Sequence, residues 1–228
     1  ATVYHRGGRR RAVSQNSGAM GTTVRLAVLL SGSGRTLENL LGCIDRGELP
    51  ARVEVVVSSR DGVRGIEVAR QAGLPVTVIP RRAFPSVEAF SDAVWAAIEP
   101  YTVDLVVLAG FLAKLAIPAG FEGRVMNIHP SLLPLFGGRG FYGDRVHRAV
   151  LEAGVKVSGC TVHFVDEEYD AGPIIIQRCV PVLDDDTPES LAHRVFAEEC
   201  RAYPEAIRLY AEGRLRIEGR RVRVLPRE

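Results

Sequence analysis

Three side chains in this sequence have the types and spacing for acyl-transfer chemistry. Asn127 and His129 stand two residues apart in Val125-Met126-Asn127-Ile128-His129-Pro130-Ser131-Leu132-Leu133-Pro134. In an extended strand, residues i and i+2 share a face, so the amide and the imidazole point the same way. Pro130 stops the strand and leaves both residues at its C-terminal end, where open α/β sheets bind ligands. The Asn NH2 group donates, and a protonated His donates and adds charge, so the pair can hold an oxyanion. Asp170 lies in Asp166-Glu167-Glu168-Tyr169-Asp170-Ala171-Gly172-Pro173. A carboxylate beside His129 would raise the imidazole pKa, orient the ring and relay protons through water. The plain alternatives are a core or surface histidine and an aspartate that only forms a turn before Gly-Pro.

A second constellation precedes them. SGSGRT (Ser31–Thr36) follows the apolar run Val24–Leu30 and precedes Leu37, Leu40, Leu41 and Ile44, which fall at i, i+3, i+4 and i+7. That pattern predicts a buried strand, a glycine turn and a helix packing one face. Glycines there let backbone N–H groups approach an anion at a helix N-terminus. The turn lacks the Lys-Ser/Thr ending of a P-loop. It also lacks the third glycine of the dinucleotide fingerprint, because Leu37 occupies that place. It suits one phosphate better than a pyrophosphate; the alternative is a tight turn with no ligand.

The elements that would position these groups alternate. Strands are predicted over Val53–Val57, Val76–Ile79, Asp104–Leu108, Arg124–Ile128, Lys156–Val165 and Ile174–Val182. Helices are predicted over Val63–Ala72, Val87–Ile98, Asp144–Ala153 and Thr187–Glu212, the last with Thr187 as N-cap and Pro188 at its first position. Arg214–Val224 reads as an edge hairpin. Alternation of this kind implies an α/β fold, a doubly wound and mostly parallel sheet with helices on both faces. Residues 22–228 form one domain in this reading. Residues 1–21 are Gly-, Arg- and Ser-rich, and are expected to be a disordered leader or an expression remnant, with Met20 as an alternative start.

Charge narrows the function classes. Residues 1–20 hold four arginines and no acid; setting those aside leaves 25 cations against 27 anions, formal −2, so the body is no evident nucleic-acid binder. Cys43, Cys160, Cys179 and Cys200 make no CxxC pair and no zinc spacing, so reduced thiols in a cytoplasmic protein are expected, with no metal. No apolar run reaches the ~20 residues that span a bilayer, and no secretory signal is evident.

NIHPSLLP (Asn127–Pro134), SGxG after the first strand, AGF (Ala109–Phe111), TVHFVDEEYDAGPI (Thr161–Ile174) and VPV (Val180–Val182) together resemble the phosphoribosylglycinamide formyltransferase family over residues 23–213. The resemblance implies a Rossmann-like formyltransferase fold. It implies a one-carbon transferase of de novo purine biosynthesis that moves a formyl group from 10-formyltetrahydrofolate, its co-substrate, to glycinamide ribonucleotide, without metal. It assigns Asn127, His129 and Asp170 as catalytic. It places Gly34, Arg35 and Thr36 on the substrate phosphate and Glu199 on the ribose. It places Leu112, Ala113, Lys114, Leu115, Tyr169 and Asp170 at the folate. The partners implied are these two small molecules, with no nucleic acid and no membrane, and a monomer or homodimer. Ala113 departs from the basic residue frequent at that place in the family. Phe136–Gly143 reads as a loop longer than in compact bacterial members, either a lid hinged on glycines or a rigid excursion. His163 reads as a structural strand residue, His147 as a helix-surface residue and Trp95 as core. Ser131 is discounted as a nucleophile, since no Gly-x-Ser-x-Gly elbow surrounds it. Formyltransferases acting on methionyl-tRNA or sugar nucleotides, formyltetrahydrofolate hydrolases and a non-catalytic binding module are the competing readings. The first would need a further C-terminal domain, and the hydrolase a further N-terminal one.

Overall fold

The computed structural model describes residues 23–227. The leader expected over residues 1–21 lies outside them. Nine strands form one sheet in the order β3-β2-β1-β4-β5-β6-β7-β9-β8. The strands are β1 Val24–Leu30, β2 Ala51–Ser58, β3 Val76–Val78, β4 Leu105–Leu108, β5 Val125–His129, β6 Val157–Phe164, β7 Ile174–Pro181, β8 Leu215–Glu218 and β9 Arg221–Val224. β1 to β5 pair in parallel, β6 runs antiparallel to both its neighbours, and β8–β9 form the expected edge hairpin. Strand order reverses at β1: the chain moves outward through β2 and β3, then returns to place β4 on the other side. Such a switch point opens a crevice at the carboxyl ends of the strands.

Five helices cover the sheet: α1 Arg35–Asp45, α2 Arg64–Gln71, α3 Val87–Ile98, α4 Asp144–Glu152 and α5 Pro188–Ala211. Alternating side chains of β1 divide between two cores. Leu26, Val28 and Leu30 pack with Leu37 and Leu40 of α1 and with Leu191, Val195 and Ile207 of α5. Ala27 and Leu29 pack on the opposite face with Phe90, Val94 and Ile98 of α3. The helices therefore lie on both faces, although unevenly, since α1, α2, α4 and α5 share one. A 3₁₀ turn at Arg81–Ala83 was not expected from the sequence.

α5 starts as expected. Thr187 caps it, its side chain accepting from Ser190 N, while the Ser190 hydroxyl accepts from Thr187 N and Pro188 takes the first position. The helix also contains a buried proline, Pro204. A proline has no N–H for the carbonyl four residues back, which here is that of Cys200. Asn39 of α1 supplies the missing donor, its Nδ2 reaching the Cys200 carbonyl at 3.0 Å. The break in α5 is thus closed by the helix beside it.

Candidate active site

Asn127 and His129 occupy the end of β5, and their side chains reach the same carboxylate. Asn127 Nδ2 donates to Asp170 Oδ1 at 3.3 Å. His129 Nδ1 faces Asp170 Oδ2 at 3.4 Å. Asp170 comes from the loop between β6 and β7 and has φ 54°, a left-handed conformation that Asp tolerates better than most side chains. Gly138 N–H donates to Asp170 Oδ2 at 2.9 Å. The three residues expected to act together therefore converge, and the loop 136–143 closes against them. His129 Nε2 donates to the Phe136 carbonyl at 2.8 Å. A Cβ at Gly137 would run into Leu133 Cδ2 and touch the Asp170 Cβ, so a side chain there would require Leu133 to shift.

The protonation differs from the expectation that Asp170 would raise the His129 pKa. His129 is buried, with 5% of its side chain exposed, and burial pushes its pKa below the usual value; the Asp170 charge and the Phe136 carbonyl oppose this without prevailing. Asp170 is partly buried, with 11% of its side chain exposed. Burial pushes its carboxyl up, yet His163, His129 and the Gly138 N–H together hold it below the usual range. Both groups thus favour their deprotonated forms, and the pair holds a place for one more proton between Nδ1 and Oδ2.

His163 belongs to this cluster, which the sequence reading missed. Its Nδ1–H donates to the Phe164 carbonyl at 2.9 Å, and its Nε2 lies 3.2 Å from Asn127 Nδ2. Nε2 also lies 3.7 Å from Asp170 Oδ1. The pairing of Asn127 with His163 across β5 and β6 brings the two together. His147, expected on the helix surface, is instead buried on α4 with Nδ1 unpartnered; burial pushes its pKa down. Val146 and Val150 of α4 are buried as well, and His147 lies on the same covered side of the helix. Ser131 is structural, its hydroxyl donating to the Leu135 carbonyl at 2.6 Å. Trp95 is half-buried, with its ring centroid 4.6 Å from that of Phe121 and Nε1 donating to the Ala116 carbonyl. Tyr203 of α5 is fully buried, and its hydroxyl meets the carbonyls of Leu108 and Met126 at 3.0 and 2.9 Å. It fastens together the ends of β4 and β5, from which the site projects.

The glycine turn lies at the end of β1. Gly34 is the N-cap of α1 with φ 77° and provides no side-chain cap, so the first-turn N–H groups of α1 remain available to an anion. A Cβ on Gly34 would meet Gly65 Cα at 2.6 Å, so the glycine is also required by packing. Arg35 is exposed, and its guanidinium lies 3.7 Å from the centre of the Phe196 ring. Thr36 and Glu199 are partly buried. Burial pushes the Glu199 carboxyl up to about 7, with the Arg35 charge opposing.

On the other side of Asn127 a solvent-open cleft of ≈ 460 Å³ is lined by Ala113, Lys114, Leu115, Tyr169 and Asp170, together with Asn127 and His163. Five of the six residues expected at a folate thus line one cleft. Leu112 does not; its backbone N–H donates to Ser31 Oγ at 2.9 Å, which ties this segment to the end of β1. Lys114 Nζ stands 5.8 Å from the Tyr169 ring centre. Leu108, Phe111 and the segment Val165–Glu168 complete the lining. Among the described residues, no group of three or more His, Cys, Asp or Glu could hold a metal ion. Cys43, Cys160, Cys179 and Cys200 are free thiols.

Residues 24–207 match the family described as Formyl transferase. The chain is 36% identical over 197 residues to the phosphoribosylglycinamide formyltransferase of Haemophilus influenzae, covering 85% of this chain and 90% of that protein. The chain belongs to the phosphoribosylglycinamide formyltransferase family. It is also 45% identical over 196 residues to the trifunctional purine biosynthetic protein adenosine-3 of Gallus gallus, 85% of this chain but 19% of that protein's length. Among solved structures, glycinamide ribonucleotide transformylase 1 from Symbiobacterium toebii superposes with TM-score 0.85 at 48% identity, over 93% of this chain and all of that one. That transformylase thus shares this chain's fold.

Proposed function

We infer that this chain transfers a formyl group from 10-formyltetrahydrofolate to the amine of glycinamide ribonucleotide, giving formylglycinamide ribonucleotide and tetrahydrofolate in de novo purine biosynthesis. The observation that carries this reading is the convergence of Asn127, His129 and Asp170 beside an open cleft, at the same carboxyl edge of the parallel strands as the anion-ready start of α1. The acceptor phosphate binds the first turn of α1 at Gly34, Arg35 and Thr36, and Glu199 receives the ribose. The formyl-folate occupies the cleft, against Ala113, Lys114, Leu115 and Tyr169.

The neutral amine adds to the formyl carbon, and the carbonyl oxygen gains negative charge. Asn127 donates to that oxygen through Nδ2, turning from His163 and Asp170; one such donor is worth ~10²–10³ in rate. The nitrogen must lose a proton as the tetrahedral intermediate forms. The vacancy between Asp170 Oδ2 and His129 Nδ1 takes it up, and the same proton passes to the folate nitrogen as the carbon–nitrogen bond breaks. The proton is shared between the Asp170 carboxylate and the His129 ring while the oxyanion beside them is present. The His129 Nε2–H remains bound to the Phe136 carbonyl and keeps the ring in place. The two substrates bound side by side also avoid the entropic cost of a bimolecular encounter.

The same reading places the protein in the cytoplasm, as a monomer or homodimer, acting on small molecules alone. Among the described residues no helix is long and apolar enough to cross a membrane. The test is to follow loss of the donor folate while candidate acceptors are offered in turn: glycinamide ribonucleotide, a sugar-nucleotide amine, methionyl-tRNA and water alone. Turnover confined to glycinamide ribonucleotide supports the assignment. Equal turnover with water would make the chain a hydrolase.

A further inference from the structure

The acceptor end of the site contains a contact that the formyl-transfer chemistry does not require. Arg35 projects from the first position of α1 and lays its guanidinium over the Phe196 ring of α5, 3.7 Å from the ring centre. A second arginine stands at the same turn. Arg64 Nη1 donates to the Ser33 carbonyl at 3.0 Å and to Glu38 Oε2 at 2.9 Å, and its Nη2 is also paired with Glu38. Among the described residues no carboxylate or carbonyl takes the N–H donors of Arg35. Its charge is nevertheless felt by Glu199, one helical turn along α5 from Phe196.

We propose that Phe196 is a positioning residue for the acceptor phosphate, holding the Arg35 guanidinium by its face so that its N–H edge stays free for phosphate oxygens at the start of α1. This rests on reading the acceptor as a phosphate-bearing amine. A guanidinium is planar: its face meets an aromatic ring, while its five N–H donors lie in the plane and remain unused by the stacking. An unrestrained arginine at an exposed helix start loses side-chain entropy when it grips an anion. Stacking on Phe196 fixes the plane beforehand, so less is lost on binding. It also keeps the cation against α5, close enough for its charge to act on Glu199, where the ribose would lie. Two elements far apart in the chain, α1 and α5, are thereby joined through the ligand's charge rather than through an ion pair of their own.

The direct test is calorimetric titration of the full-length protein with ribose 5-phosphate and with ribose, for the wild type, Phe196→Leu, Phe196→Tyr, Arg35→Leu and the double variant Arg35→Leu/Phe196→Leu. Phe196→Leu is expected to raise the Kd for ribose 5-phosphate about three- to tenfold, the scale of a partly exposed cation–π contact. Phe196→Tyr, which keeps the ring, is expected to bind as the wild type does. The double variant is expected to be no worse than Arg35→Leu, since the ring then has no cation to hold. In turnover, Phe196→Leu is expected to raise KM for the phosphorylated acceptor with kcat near the wild-type value. Should Phe196→Leu fail to fold, Phe196→Met replaces it in every comparison.

Four outcomes overturn the proposal: an unchanged Kd in Phe196→Leu, a loss that adds to that of Arg35→Leu, an equal loss for ribose, and wild-type protein that binds ribose 5-phosphate no better than ribose. Binding is measured without the formyl donor. Phosphate anchoring can therefore hold where transfer to glycinamide ribonucleotide fails, and the reverse.

Discussion

Asp170→Asn is the substitution that separates chemistry from architecture in this site. Asparagine adopts the left-handed backbone at least as readily as aspartate, so φ 54° at position 170 adds no strain in the variant. The volume is unchanged and the half-buried loop need not move. What changes is the pattern of donors. Oδ2 accepts from Gly138 N–H at 2.9 Å, and Oδ1 accepts from Asn127 Nδ2 at 3.3 Å. An amide has one acceptor oxygen, so either orientation sets its NH2 against one of these donors. Losing a hydrogen bond to a charged group costs about 1.5–3 kcal/mol, which the variant should show as lower thermal stability. The larger loss is chemical. An amide cannot take a proton from the attacking amine, and losing a general base lowers the rate by about 10²–10⁴. Turnover is expected to fall at least ~100-fold, equivalent to about 2.7 kcal/mol in the barrier. The acceptor's KM should stay near the wild-type value, because its phosphate is held elsewhere. Donor-folate loss at saturating glycinamide ribonucleotide measures this. Turnover within threefold of wild type, from a folded variant, would refute the proton-acceptor role.

Other substitutions probe the surroundings. Glu199→Gln tests the partly buried carboxyl beside Arg35. Its folded pKa, about 7, lies above its unfolded value, so its stabilising effect is full below the ordinary range near 4.5 and is lost as pH rises through 7. The variant should therefore gain Tm relative to wild type at pH 8 and gain nothing at pH 4.5; equal shifts at both would contradict the burial argument. His129 has the opposite sign. Its folded pKa is depressed, so its contribution is present above the unfolded value near 6.5 and falls as pH drops below it; a His129→Gln variant should show a flatter Tm profile between pH 7 and 5, and an unchanged profile would count against it. Gly34→Ala would place a methyl against Gly65 Cα at 2.6 Å in a backbone with φ 77°, and should destabilise by at least about 1–2 kcal/mol while weakening acceptor binding; denaturant unfolding checks the first and KM the second. Asn39→Ala orphans the Cys200 carbonyl and should cost about 1–3 kcal/mol in denaturant unfolding, whereas no loss would mean the gap left by Pro204 is closed another way.

The elements were largely legible because their signals are local. The apolar run of β1, the two-residue spacing of Asn127 and His129, and the Thr187-Pro188 start of α5 each need only a few neighbouring residues. The motif resemblance brought in Asp170, which spacing alone left as a turn former. What the sequence hid depends on partners far along the chain. His163 alternates within β6 like any strand residue, and only the pairing of β5 with β6 reveals its contact with Asn127. Nothing around His147 marks it as buried until α4 is packed. The depressed His129 pKa was missed for a related reason: a neighbouring carboxylate can be anticipated from a motif, but the depth of burial cannot. Pro204 inside α5 and Asn39 in α1 are 165 positions apart, and neither implies the other without the fold. Phe196 resembles an ordinary apolar helix residue until Arg35 is seen lying over it.

The most direct measurement follows the transferred carbon itself. Donor folate carrying a ¹³C-formyl group is incubated with glycinamide ribonucleotide, and the carbon is located by NMR at completion. The label is expected in the amide of formylglycinamide ribonucleotide, in step with tetrahydrofolate released, and at a rate that collapses in Asp170→Asn. Label accumulating as free formate, or staying on the folate while the acceptor remains unmodified, would contradict the account.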